Sequence, residues 1–202
     1  MANRTLIASI NPVAAPDHIG QEYYNSVTGI WYKAAGVSSV ADWKNTTPLV
    51  ETLTFSAESS KEFLMDLSDA TNLKLESIGN GINMATNTEQ TLLQFYVSGA
   101  WVTTGYGNIQ HYASSTPAHG FDSFTLSGMS LSTYFDDAMV TADISLGVAK
   151  VRGIIKSFYL YTSTESIAEM ASYLSVAAKP TKCRLQSTAG NLTGSFKLTK
   201  NP

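Results

Sequence analysis

A single cysteine, Cys183, stands in a chain of 202 residues. No intrachain disulfide can form, and a disulfide-built scaffold is excluded. Cys183 reads as a small buried hydrophobe beside Leu185, with no histidine near it in sequence to activate a thiol. Charge is scarce too. Asp, Glu, Lys and Arg make up 14% of the chain, against about a quarter in an ordinary soluble domain. The 13 Lys and Arg are scattered, which argues against a nucleic-acid-binding face, because phosphate neutralisation needs clustered cations. The one short basic stretch, Lys179 to Arg184 around Pro180, reads as a solvated loop. No apolar run approaches the ~18 residues of a membrane span. Near the start, Arg4 precedes Leu6-Ile7-Ala8, but Asn11 and Pro12 interrupt the run too early for a secretion signal. The expectation is a soluble protein without membrane insertion, made in a cytoplasm.

Hydroxyls stand where charges are missing. Ser and Thr account for 46 of the 202 residues. Both compete with the backbone inside helices, and Thr is favoured in strands, so the chain leans to β structure. Period-two alternation confirms the lean. Leu53 and Phe55 alternate with Thr52, Thr54 and Ser56, and Leu73 and Leu75 with Lys74 and Glu76 before a turn at Gly79-Asn80-Gly81. Thr91 to Val97 is a strand that turns at Ser98-Gly99 into Ala100 to Thr104. Gly128 separates Phe124-Thr-Leu-Ser from Met129-Ser-Leu-Ser-Thr-Tyr. Val140, Ala142, Ile144 and Leu146 alternate, Ile154 to Thr162 is the strongest strand, and Phe196 and Leu198 share a face near the end. In Ile154 to Thr162 the face of Phe158 and Leu160 is expected inward, with Ser157, Tyr159 and Tyr161 opposite. The spacing predicts a helix from Ser166 to Ala178, capped by Ser166 and Glu169, with Ile167, Met170, Ala171 and Leu174 on one face. Ser60 to Leu67 fits a short helix or a strand equally. The expected fold is mainly all-β: a jelly-roll-like β-sandwich over residues 49–202, with one or two short helices.

Residues 1–48 differ from the rest. They hold three of the six prolines and two of the three tryptophans. Met1 to Pro16 reads as an extended arm. Gln21 to Tyr24 and Ile30 to Lys33 read as a hairpin turning over Asn25 to Gly29, with Gly29 taking positive φ. Trp31 and Trp43 are expected to close a small apolar cluster over it. The order of features here is distinctive: Gly20-Gln21, aromatic Tyr23, a Thr28-Gly29 turn, Trp31-Tyr32-Lys33, then Gly36 and a small-residue loop closing on Asp42-Trp43-Lys44. This run resembles a short module of bacteriophage tail-fibre, tailspike and head-fibre or decoration proteins. The resemblance covers about an eighth of the chain and carries no catalytic residues. It implies a virion setting, with assembly in a host cytoplasm, other virion proteins as partners, and Tyr23, Tyr24, Trp31, Tyr32 and Trp43 as the attachment surface. It also implies self-association, a trimer being favoured, which low charge and scattered aromatics suit.

Candidates for chemistry are few. His111 and His119 flank a loop with Asp122 nearby, but the spacing matches no familiar metal motif. His18 reads as a turn residue. Asp66, Asp69 and Asn72 lack the ligand spacing of a calcium loop, and Asp136-Asp137 reads as a solvated turn. No metal or cofactor is expected. Paired carboxylates across a cleft would be needed to cut glycosides, yet acids are sparse and no nucleophile elbow, P-loop or zinc-protease motif occurs. A non-enzymatic protein is expected. The aromatic stretch is the better hint. Trp101, Tyr106, Asn108, His111 and Tyr112 lie on a strand and loop rich in Gly and Thr. Exposed aromatics beside amides stack on sugar rings or anchor protein contacts. Three functions follow: a virion structural or decoration protein, a module binding a host-surface glycan, and, last, a small glycan-cleaving enzyme.

Overall fold

The computed structural model describes residues 5–84, 90–114, 119–133, 138–161, 164–188 and 190–201. The chain forms two compact units, one of Met1–Leu49 with Asn201–Pro202 and the other of Val50–Lys200. The protein is all-β, with β-sandwich layering. Among the described residues the only helical element is a 3-10 turn at Val40–Asp42. Among the described residues no helix is long and apolar enough to cross a membrane.

In the first unit, β1 (Leu6–Ala8), β2 (Glu22–Asn25), β3 (Ile30–Ala34) and β4 (Trp43–Asn45) lie side by side in that order. β2 and β3 form the expected hairpin, Tyr23 opposite Tyr32 and Tyr24 opposite Trp31. Gly29 closes it at φ +71°, a conformation that costs glycine little. Part of the expected arm is a strand, since β1 pairs in parallel with β2.

In the second unit, one sheet has eight strands. Its spatial order is β11 (His119–Leu126), β10 (Tyr106–Ser114), β15 (Thr164–Ser175), β14 (Lys150–Tyr161), β13 (Met139–Leu146), β7 (Asn72–Met84), β17 (Leu192–Asn201) and β5 (Leu49–Glu58). The other sheet runs β12 (Met129–Thr133), β8 (Gln90–Val97), β16 (Lys182–Ser187) and β6 (Ser60–Glu62), with β9 (Ala100–Trp101) paired to β8. The consecutive strands β13, β14 and β15 are neighbours, so that stretch is a meander and not the sheet-to-sheet alternation of a jelly roll. One core fills the space between the sheets. Leu73, Leu75, Val140, Ala142, Ile144, Phe196 and Leu198 enter it from the large sheet; Leu93, Phe95, Met129, Cys183 and Leu185 enter from the small one. Each large side chain buried there contributes about 1.5–3 kcal/mol.

Several expectations are corrected. The Ser166 to Ala178 segment is strand as far as Ser175, not a helix: Ala168, Met170 and Leu174 are buried while Glu169, Ala171 and Tyr173 face out. It is held by β14 over twelve residues on one side and by β10 on the other, pairing that outweighs its 3.6-residue pattern. In the ambiguous Ser60 to Leu67 segment, residues 60–62 are a strand, and Phe63 and Leu67 are buried. β7 runs straight through the Gly79 region, where a turn was expected, with Gly79 at φ +74° inside the strand. The inward face of β14 carries Val151, Gly153, Ile155 and Ser157, and Phe158 is 48% exposed. The reason is register: Gly153, Ile155 and Ser157 stand in line with buried Ile144, Ala142 and Val140 of β13 and with buried Ser172, Met170 and Ala168 of β15, so the neighbouring strands turn that face inward. The side chains of Tyr159, Leu160 and Tyr161 lie outside the described part.

Candidate functional site

The aromatic residues of the first unit divide between two faces. Tyr23, Ala34 and Trp43 are buried together, with Tyr32 against them. Tyr23 and Trp43 meet edge to face at 5.6 Å. Their polar ends hold the arm in place. The Tyr23 hydroxyl donates to the Ile10 carbonyl, the Trp43 indole N–H donates to the Ala14 carbonyl, and the Tyr32 hydroxyl donates to Asn11 Oδ1. The Asp42 carboxylate accepts from the Ser38 and Ser39 N–H groups and the Ser38 hydroxyl. These bonds, that from the Ser39 backbone foremost, hold its pKa below the ordinary value. Gly36 is required beneath that loop, since an added methyl would lie 2.7 Å from the Asp42 carboxyl carbon. Trp31 does not join this cluster. On the opposite face, Ile7, Tyr24 and Trp31 form one cross-strand row. Ile7 is 70% and Trp31 42% exposed, and the Tyr24 and Trp31 rings lie 4.7 Å apart.

The stretch from Trp101 to Tyr112 is largely structural. Tyr106 is fully buried. Its hydroxyl accepts the Phe95 N–H and donates to the Val102 carbonyl, and burial pushes its pKa up to about 12. Asn108 is also buried. Its Oδ1 accepts from the Ser130 N–H and from the Ser172 hydroxyl, and its Nδ2 donates to the Gly128 carbonyl. Asn108 therefore ties β10 to β12 across the sandwich and to β15 within its own sheet. Neither residue is available to a ligand, because the facing sheet takes up both. His111 is half-buried on β10, opposite Phe121 and Glu169. The side chain of Tyr112 lies outside the described part.

Trp101 is partly exposed and meets a group that the sequence reading missed. The Arg184 guanidinium stacks 4.4 Å over its ring, and the Tyr96 ring meets it edge-on at 5.3 Å. Lys182 Nζ lies 5.5 Å from the Tyr96 ring. Buried Gln94 fixes the arrangement, its Oε1 accepting from Arg184 Nε and its Nε2 donating to the Ser127 carbonyl. The Lys182 to Arg184 segment is thus strand rather than solvated loop. The available signal was the alternation of Lys182, Arg184 and Gln186 with Cys183 and Leu185, which aims the cations outward. Chemically, the cluster offers a flat indole, a phenol and two cations on one surface. Such a surface suits an anionic, hydroxyl-rich ligand.

The remaining candidates are not drawn into a site. Asp66 accepts from Ser68 N–H and hydroxyl, and these bonds hold its pKa low. Lys200 Nζ donates to the Asp66 carbonyl and pairs with Asp69, so the two aspartates are turned to different partners. Among the described residues no group of three His, Cys, Asp or Glu is placed to hold a metal. The side chains of His119 and Asp122, and residues Asp136 and Asp137, lie outside the described part. Cys183 is fully buried, and burial pushes its thiol pKa up. Comparison with protein-family models, curated proteins and solved structures finds no match to this chain.

Proposed function

We propose that the chain is a non-enzymatic structural component of a bacteriophage virion. It is attached through its first unit and displays the β-sandwich as decoration, fibre or adsorption module. One observation carries the attachment reading: the exposed row Ile7, Tyr24 and Trp31, on the face opposite the unit's own aromatic cluster. Large aromatics left outside a unit that already has a core favour a protein partner. Here the partner is another virion protein. The low charge and hydroxyl-rich composition support the same reading, and self-association of the chain belongs to it.

The test is incorporation into particles. Trp31→Ala is expected to leave the fold intact and to abolish co-purification of the chain with mature virions. Trp43→Ala should instead unfold the first unit. Absence of the wild-type chain from purified particles would refute the reading.

A second reading has its own support. The Trp101, Tyr96, Arg184 and Lys182 cluster suits a host-surface glycan bearing carboxylates. On an array of neutral and uronate- or sialate-containing glycans, binding should be confined to the acidic members. It should be lost in both Trp101→Ala and Arg184→Ala.

A further inference from the structure

We propose that the outer face of β14 and β15 is a two-fold contact surface for a second copy of this chain. Met139, Ile154, Phe158, Ile109 and Ile167 are each between 44% and 55% exposed on the large sheet. Ile154, Phe158 and Ile167 stand on β14 and β15, and Ile154 lines a shallow depression with Ile109, Ala171 and Tyr173. An apolar face of this kind calls for cover.

Register specifies the occupant. Across β14 and β15 the outward pairs are Arg152 with Tyr173, Ile154 with Ala171, Lys156 with Glu169, and Phe158 with Ile167. Each pair is complementary: cation and aromatic ring, apolar and apolar, cation and carboxylate. A two-fold axis parallel to the strands, midway between them, lays β14 of one copy over β15 of the other and keeps every row aligned. Lys156 then faces Glu169 of the second copy, and the reciprocal pair forms by symmetry. Phe158 faces Ile167 and Ile154 faces Ala171 in the same way. An isologous contact requires a patch that is its own complement, and the rows of β14 and β15 are. The Lys156 to Glu169 pair within each chain, at 3.0 Å, becomes half of a four-charge cluster flanked by apolar rows. Such a cluster selects register more than it adds affinity. Face-to-face sheets cross at about 30° because of their twist, so the central rows carry the contact. The contact stands whether or not the chain belongs to a virion.

The test is sedimentation velocity of the full chain at tens of micromolar. A dimer is expected. Lys156→Glu and Glu169→Lys, each alone, set like charges against each other across the axis, and each should weaken the dimer about tenfold or more. Mixing the two variants should restore association, because the two carboxylates of one variant then face the two ammonium groups of the other across the axis. Each variant chain still carries its own like-charged pair, so damage inside the monomer predicts no rescue on mixing. Ile154→Asp should give a monomer with an unchanged β-type circular dichroism spectrum. A wild-type monomer, a trimer, or two variants that fail to recombine would each overturn the proposal.

Discussion

Buried polar side chains hold the two sheets of the sandwich in register, and their removal has a calculable sign. Truncating Asn108 to Ala leaves the Ser130 N–H and the Ser172 hydroxyl without their acceptor. The expected loss is about 2–5 kcal/mol, measured by urea unfolding. Tyr106→Phe orphans the Phe95 N–H and should cost about 1–3 kcal/mol. Tyr106 also sets an alkaline limb. The unfolded phenol releases its proton near pH 10.0, the folded one only near 12. The Tyr106 contribution is therefore complete below pH 10 and is lost as pH rises towards 12, because the unfolded state holds fewer protons there. Burial of Cys183 adds loss of the same sign. Tyr106→Phe should flatten the limb in a pH series of melts, and a limb unchanged in that variant would refute the assignment.

Strand β15 shows the same competition at the level of the element. Helix and strand readings share Met170 and Leu174 but disagree about Ala168 and Ala171, and only pairing on both edges decides between them. Met170→Ala and Leu174→Ala should each cost about 2–5 kcal/mol. Glu169→Ala, on the outward face, should change monomer stability by no more than about 0.5–1 kcal/mol. Between β10 and β15, the Tyr173 ring covers Gly107 so closely that an added methyl would meet it at 2.3 Å. Gly107→Ala should be destabilising in the wild type and near neutral in a Tyr173→Ala background. A double-mutant cycle reads that difference directly. Additive effects would show that the ring does not depend on the glycine.

Over the whole molecule, the two units have separate cores. Tyr23, Ala34 and Trp43 make one; the other draws its buried residues from Leu53 to Leu198. Residues 50–200 alone should therefore unfold in a single cooperative transition with native near-ultraviolet circular dichroism. A broad transition with exposed hydrophobic surface would show that the sandwich needs its N-terminal neighbour.

Much of the architecture was legible because it is written at short range. Alternation placed Val140, Ala142, Ile144 and Leu146 inward, and likewise Leu73, Leu75, Phe196 and Leu198. Turn chemistry placed Gly29 correctly, since a left-handed turn residue is a local requirement. The candidate site was less legible. Exposure of an aromatic depends on what lies opposite it, and Tyr106 and Asn108 look solvent-facing until the second sheet covers them. The pairing of Arg184 with Trp101 joins residues far apart in the chain, and so does the Ile7, Tyr24 and Trp31 row. Period and composition settle which segments become strands. Which face of β14 turns inward follows from its register with β13 and β15, and which aromatics stay outside follows from what packs against them; both are set only when the strands pair and pack.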